Sequence, residues 1–128
     1  MKKILLIEDE EEMNFRLINK LKKEYDVEPA MSIDAALNVL DSGIEFDLII
    51  LDIMMYPGCY DYEKTDEGTE TGWIFYQDRL KNANVKVMIW TRNRNIFDKP
   101  WGPNVVEKLI KSNEDLQLVN AVKKHIGE

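Results

Sequence analysis

At 128 residues, with 45% hydrophobic and 32% charged side chains, the chain is expected to form one globular domain rather than a disordered segment. A formal net charge of −7 argues against a nucleic-acid binder, which normally carries a basic footprint, and fits a chain that meets cations or basic protein surfaces. The single Cys59 excludes an internal disulfide and a cysteine-based zinc site, the single His125 near the C-terminus argues against histidine catalysis, and no apolar run approaches a membrane span. A reducing, cytoplasmic location is the default expectation.

Residues 2–7 predict a first strand. Over residues 10–24, Met13, Leu17, Ile18 and Leu21 recur at helical spacing and predict an amphipathic helix. Residues 27–30 predict a second strand, and Pro29 within it favours a sheet edge. Ser32 is a candidate N-cap for a helix that buries Ile33, Ala36, Leu37 and Leu40 and is closed by Gly43. Residues 46–52 predict a third strand. The segment that follows, about 53–71, holds Pro57-Gly58, three tyrosines and five acids without a clear period. It far exceeds the roughly 2–6 residues of an ordinary strand-to-helix connection. Gly72 then opens a third helix with Trp73, Ile74, Tyr76, Gln77 and Leu80 near its inner face, and residues 85–91 predict a fourth strand. Pro100 and Pro103 flank Trp101-Gly102 and limit a fourth helix to about two turns after Asn93. Residues 105–110 predict a fifth strand, and residues 113–126 a last helix with Leu116, Val119, Val122 and Ile126 inward. Alternating strands and helices predict an α/β domain around a parallel sheet.

Four of these strands stop at residues able to do chemistry. The first runs into Glu8-Asp9, the third into Asp52, the fourth into Thr91 and the fifth into Lys111. Near-continuous apolar strands are those of a buried parallel sheet, and in such sheets ligands lie beyond the carboxyl ends of the strands. Taken singly, each residue has an ordinary alternative: helix-start acids, a turn aspartate, a β-forming threonine, a solvated lysine. Together they make a pocket of three carboxylates, a hydroxyl and an ammonium. Crowded carboxylates hold a proton or recruit a cation, and with oxygen ligands alone that cation is Mg²⁺. Around a phosphoryl group Asp52 is the candidate nucleophile, Lys111 neutralises phosphoryl oxygens and Thr91 donates to one of them.

The segments around Glu8-Asp9-Glu10, Asp47 to Met55 and Pro57-Gly58 resemble the receiver domain of two-component response regulators, and the resemblance runs through the whole chain. It implies a flavodoxin-like (βα)5 doubly wound parallel five-stranded sheet of order 2-1-3-4-5. It also implies a single receiver-like domain over residues 1–128 that accepts a phosphoryl group on Asp52. The donor would be a histidine kinase or phosphotransfer protein. Implied Mg²⁺ ligands are Asp9, Asp52 and the Met54 backbone carbonyl, with Glu8 acting through water. Such a module is a phospho-acceptor in a phosphorelay rather than an enzyme, catalysing at most its own phosphorylation and dephosphorylation. It would act through a downstream protein partner, with no nucleic acid or membrane and with a homodimer left open.

The departures from that family are also specific. The 53–71 segment is longer than the family's connection, and it reads either as a lid, docking element or electrostatic brake, or as a solvated Ω-type insertion. Arg92 replaces a small residue after Thr91; it is expected to cover the site, pair with loop acids or contact phosphate. Lys108 stands where the family has a switch aromatic, and Ser112 rather than proline follows Lys111. Lys108 is the alternative to Lys111, though strand alternation puts it on the other side. Two rival functions follow: a phosphorylation-independent adaptor binding through the long loop and Trp101, and a metal-dependent phosphohydrolase. The latter lacks a second catalytic acid, since Ile53 and Met54 follow Asp52.

Overall fold

In a computed structural model, which describes residues 1–112 and 115–127, five strands form one sheet of order β2-β1-β3-β4-β5. They are β1 (Lys2–Ile7), β2 (Tyr25–Ala30), β3 (Leu48–Leu51), β4 (Lys86–Thr91) and β5 (Val105–Ile110). Every neighbouring pair is parallel. The helices are α1 (Glu11–Leu21), α2 (Ile33–Asp41), α3 (Thr71–Phe75) and α4 (Leu116–Ile126). This is the doubly wound, flavodoxin-like order expected from the sequence, with Pro29 on the edge strand β2.

The central strands are apolar beyond their exposed lysine starts because both of their faces are covered there. Leu5, Ile7, Ile49, Leu51, Val87 and Ile89 pack on one face against Ile33 and Ala36 of α2 and Trp73 and Phe75 of α3. Ile4, Leu6, Leu48, Ile50, Met88 and Trp90 pack on the other, against Met13 and Leu17 of α1 and Leu118 and Val122 of α4. Each such side chain fully withdrawn from water contributes roughly 1.5–3 kcal/mol, which pins the carboxyl ends of β1 and β3 side by side. Among the described residues no helix is long and apolar enough to cross a membrane.

Several boundaries differ from expectation, each for a local reason. Strand β3 starts at Leu48, not Phe46, because the Asp47 carboxylate takes the Lys3 amide at 2.8 Å. Strand β2 starts earlier, at Tyr25, which pairs with Lys2. Helix α1 is shorter than predicted, and the predicted start of the last helix at Asn113 lies outside the described residues. The inner face of α4 is displaced: Leu118, Ala121, Val122 and Ile126 are buried, whereas Leu116 is exposed and Val119 only half-buried. Helix α3 widens into a π-helical turn over Tyr76–Leu80. That turn buries Tyr76 and leaves Gln77 outside, while Phe75 takes an inner position that the periodicity did not mark.

The predicted short fourth helix after Asn93 is present as a 3-10 rather than an α-helix. Between β4 and β5 there is a 3-10 turn (Arg94–Asp98), capped by the Asn93 side chain, which accepts from the Asn95 amide at 3.2 Å. Trp101 fills the space a longer helix would occupy. Its ring meets Trp73 and Tyr76 edge-on at centroid distances of 4.6 and 5.0 Å, and its indole N–H donates to the Ile96 carbonyl. The side chain of Asn104 then ties this region together. Its Nδ2 donates to the carbonyls of Leu80, Ala83 and Val85, and its Oδ1 accepts from the Tyr76 hydroxyl at 2.6 Å. Trp101 is therefore a packing element.

The long segment after β3 is a folded loop with a narrow neck. The Met55 amide donates to the Gly68 carbonyl, the Thr71 hydroxyl to the Met55 carbonyl and the Gly72 amide to the Ile53 carbonyl. Within it, Asp61 accepts from the amides of Glu63 and Lys64, and Thr65 is fully buried. Asp66 and Glu67 adopt left-handed backbone conformations, φ 51° and 59°, just before Gly68 at 91°. The body is fastened to α2 through Cys59 N–H to Asp34 and to the π turn through Tyr60 to Asp78.

Candidate functional site

The backbone ladder delivers the predicted residues to one place, because it continues one residue past three strands. Glu8 N–H donates to the Ala30 carbonyl, Asp52 N–H to Ile7 and Lys111 N–H to Thr91. Since β3 lies between β1 and β4, Asp52 sits between the acidic turn after β1 and Thr91 at the end of β4. Carboxylate oxygens of Glu8, Asp9 and Asp52 all lie within 4.8 Å of one another. Glu8, Asp52, Thr91 and Lys111 are buried, and Asp9 is exposed at the mouth.

Lys111 is the cation of the pocket. Its Nζ donates to Asp52 Oδ2 at 2.9 Å and forms an ion pair with Glu8 Oε2, with only 2% of the side chain accessible. Its stem rests against Trp90, placing Nζ 5.0 Å from the ring centroid. Lys108 is exposed and reaches the Phe97 carbonyl instead, on the other side of β5, as alternation requires. Thr91 Oγ1 accepts the Asn93 amide at 3.3 Å. Met54 enters through its backbone: its amide donates to Asp52 Oδ1 at 3.3 Å, while its side chain is exposed.

Burial dominates the electrostatics. It pushes Glu8 up to about 7, the Asp52 charge adds to this, and Lys111 opposes it. Burial also raises Asp52, with Lys111 pulling it down and Asp9 pushing it up. One ammonium among three carboxylates, two of them buried, leaves excess negative charge in the site. A hard divalent cation suits that donor set, since Mg²⁺ binds one or two carboxylates and keeps several waters.

Two features escaped the sequence reading. Asn14, buried on α1, donates from Nδ2 to the Glu8 carbonyl at 2.5 Å and to the Glu10 carbonyl at 3.2 Å, fixing the acidic turn. Its signal was a polar residue beside Met13 on the inward face of an amphipathic helix. The second is a close contact made by Gly72, the residue expected to open the third helix. A Cβ there would stand 2.6 Å from the Asp52 carbonyl oxygen and 2.7 Å from Ile53 Cα, so the start of α3 packs directly on the backbone of the acceptor turn. Of the expected partners for Arg92, the structure shows a different acid: its guanidinium pairs with Glu10, not with the loop.

At the level of sequence, no family model and no curated protein matches the chain. Solved structures do. The response regulator TrrA of Thermotoga maritima, in complex with Mg²⁺ and BeF, is 26% identical; the match covers 97% of this chain and 98% of that one with a TM-score of 0.70. TrrA in complex with the histidine kinase ThkA matches at 24% identity over 98% and 99% of the two chains, TM-score 0.69. A response regulator receiver protein from Burkholderia phymatum matches at 19% identity over 99% and 96%, TM-score 0.73. The chain has the fold of a response-regulator receiver domain.

Proposed function

We propose that the chain is a receiver module that accepts a phosphoryl group on Asp52 from a histidine kinase or phosphotransfer protein. The observation that carries this is the buried Lys111 ammonium, 2.9 Å from Asp52 Oδ2, inside a cluster whose other carboxylates stand at metal-sharing distance. Glu8, Asp9, Asp52 and the Met54 carbonyl would hold Mg²⁺, which when bound supplies charge neutralisation at the phosphoryl oxygens. Lys111 is suited to neutralise a further oxygen and the Thr91 hydroxyl to donate to another. In the transfer, an Asp52 carboxylate oxygen forms the new O–P bond as the donor's P–N bond breaks and the nitrogen leaves with a proton. The reverse chemistry uses water: a water oxygen attacks phosphorus, the P–O bond to Asp52 breaks and inorganic phosphate leaves. The chain's own catalysis is confined to these two steps. The Thermotoga complex of a like-folded regulator with its kinase supports a kinase donor.

Intact-protein mass after incubation with phosphoramidate and Mg²⁺ tests the proposal. One phosphoryl adduct on wild type, absent from Asp52→Asn, is the expected result. No adduct on a wild-type protein that binds Mg²⁺ would overturn it in favour of the phosphorylation-independent adaptor.

A further inference from the structure

Asp52 is only 3% exposed, so a phosphodonor reaches it only if something at the mouth moves. The group across that mouth is an exposed ion pair between Glu10 and Arg92. Glu10 follows β1 and Arg92 follows β4, and the end of β3, with Asp52, lies between those two strands. The Arg92 guanidinium is paired with Glu10 Oε1, and both side chains are about half-exposed, at 56% and 44%. The link therefore joins the ends of the two strands that flank β3, on the side of the sheet where Asp52 ends that strand. Arg92 holds its proton more firmly than usual, chiefly through Glu10, with smaller contributions from Glu8 and Asp52, so it also lies within the field of the buried acids. Neither side chain makes a second salt bridge among the described residues.

We infer that the Glu10–Arg92 ion pair is a clasp across the mouth of the Asp52 pocket, which must part before a phosphodonor enters and before water reaches a phosphorylated Asp52. The inference rests on the acceptor function proposed above. An exposed pair of this kind favours its closed geometry by at most about a factor of five, so the clasp slows passage without sealing the site. It acts on both directions of traffic. Phosphoramidate delivers its phosphoryl group to the Asp52 oxygen with ammonia leaving, and hydrolysis returns the carboxylate and inorganic phosphate. Opening the clasp speeds both.

The experiment measures the rate of adduct formation from phosphoramidate with Mg²⁺, and the rate of adduct loss after the donor is removed. The proteins are wild type, Arg92→Ala, Glu10→Ala and Arg94→Ala. A clasp predicts that Arg92→Ala and Glu10→Ala both raise both rates by about two- to fivefold, while Arg94→Ala, which removes an equal charge two residues on, changes neither. A simple charge effect on an anionic donor instead drives the two substitutions in opposite directions, and that result overturns the clasp. So does a fall in adduct formation for Arg92→Ala alone, which would make Arg92 a phosphoryl ligand. If no protein forms an adduct while all bind Mg²⁺, the acceptor function fails and the clasp with it.

Discussion

Among the described residues, Lys111 brings the only ammonium to a site holding two buried carboxylates, and replacing it with methionine removes that charge. At 2.9 Å from Asp52, the attraction amounts to about 6 kcal/mol at an effective dielectric near 20, and the contact with Glu8 adds to it. Desolvating the three groups offsets much of that. The cost of removing one partner is set by the charges left behind, roughly 3–5 kcal/mol when they stay ionised. They do not stay ionised at low pH. Burial raises the folded-state values of both acids, Glu8 from 4.5 to about 7, so between those values the native protein binds more protons than the unfolded chain. Stability attributable to Glu8 therefore falls as pH rises through that window and levels off above it. Lys111 opposes both shifts, so its loss carries the fall to higher pH. Urea denaturation of wild type and Lys111→Met at about pH 5.5 and pH 8.5 reads this directly. The expected loss is about 1 kcal/mol or less at the lower pH and about 3–5 kcal/mol at the higher. Saturating Mg²⁺ should recover part of it by binding only the folded state. An equal loss at both values would refute the claim that Lys111 acts by neutralising the pocket.

Three further outcomes follow from the geometry. Mg²⁺ affinity, followed by titration calorimetry, should rise between about pH 6 and pH 8, because the Glu8 proton held near pH 7 competes with the cation. Gly72→Ala should cost about 1–3 kcal/mol in thermal or urea unfolding and reduce adduct formation as well, since its Cβ would strike the Asp52 carbonyl oxygen. Asn104→Ala, far from Asp52, should lower stability by about 1–3 kcal/mol for its orphaned partners while leaving adduct formation in place; it strips the donor from three carbonyls and the acceptor from Tyr76.

The sheet and the acidic cluster were legible because one physical constraint writes both. A strand core buried on two faces must be apolar, so the first polar residue after it marks where the sheet ends, and Glu8 and Asp52 stand at those marks; edge strand β5 carries Glu107 and Lys108 within it, and Lys111 is marked only by following Leu109-Ile110. The helices were less legible. The α4 stripe admits two phases one or two residues apart, and the choice between Leu116 and Leu118 depends on where β5 delivers the chain. The π turn at Tyr76–Leu80 leaves no local trace, because its bonds are set by Asn104 and Gly102 many residues later. The Glu10–Arg92 pair was likewise invisible, since charges 82 positions apart meet only through the strand order.

The neck of the loop after β3 gives this chain a modular character. Met55 and Gly68 already face each other across a 3.2 Å hydrogen bond, and Ile53 and Gly72 across one of 2.9 Å. Residues 56–67 leave and rejoin the chain through that closure, and beyond it they touch the domain through Cys59 to Asp34 and Tyr60 to Asp78. Joining Met55 to Gly68 through a short turn would excise them without displacing Asp52, because loop length enters closure entropy only logarithmically. Such an appendage can be gained, lost or exchanged beside an acceptor site without rebuilding the acceptor, leaving exposed residues such as Tyr56 and Tyr62 free to vary for recognition while the chemistry beneath them stays fixed.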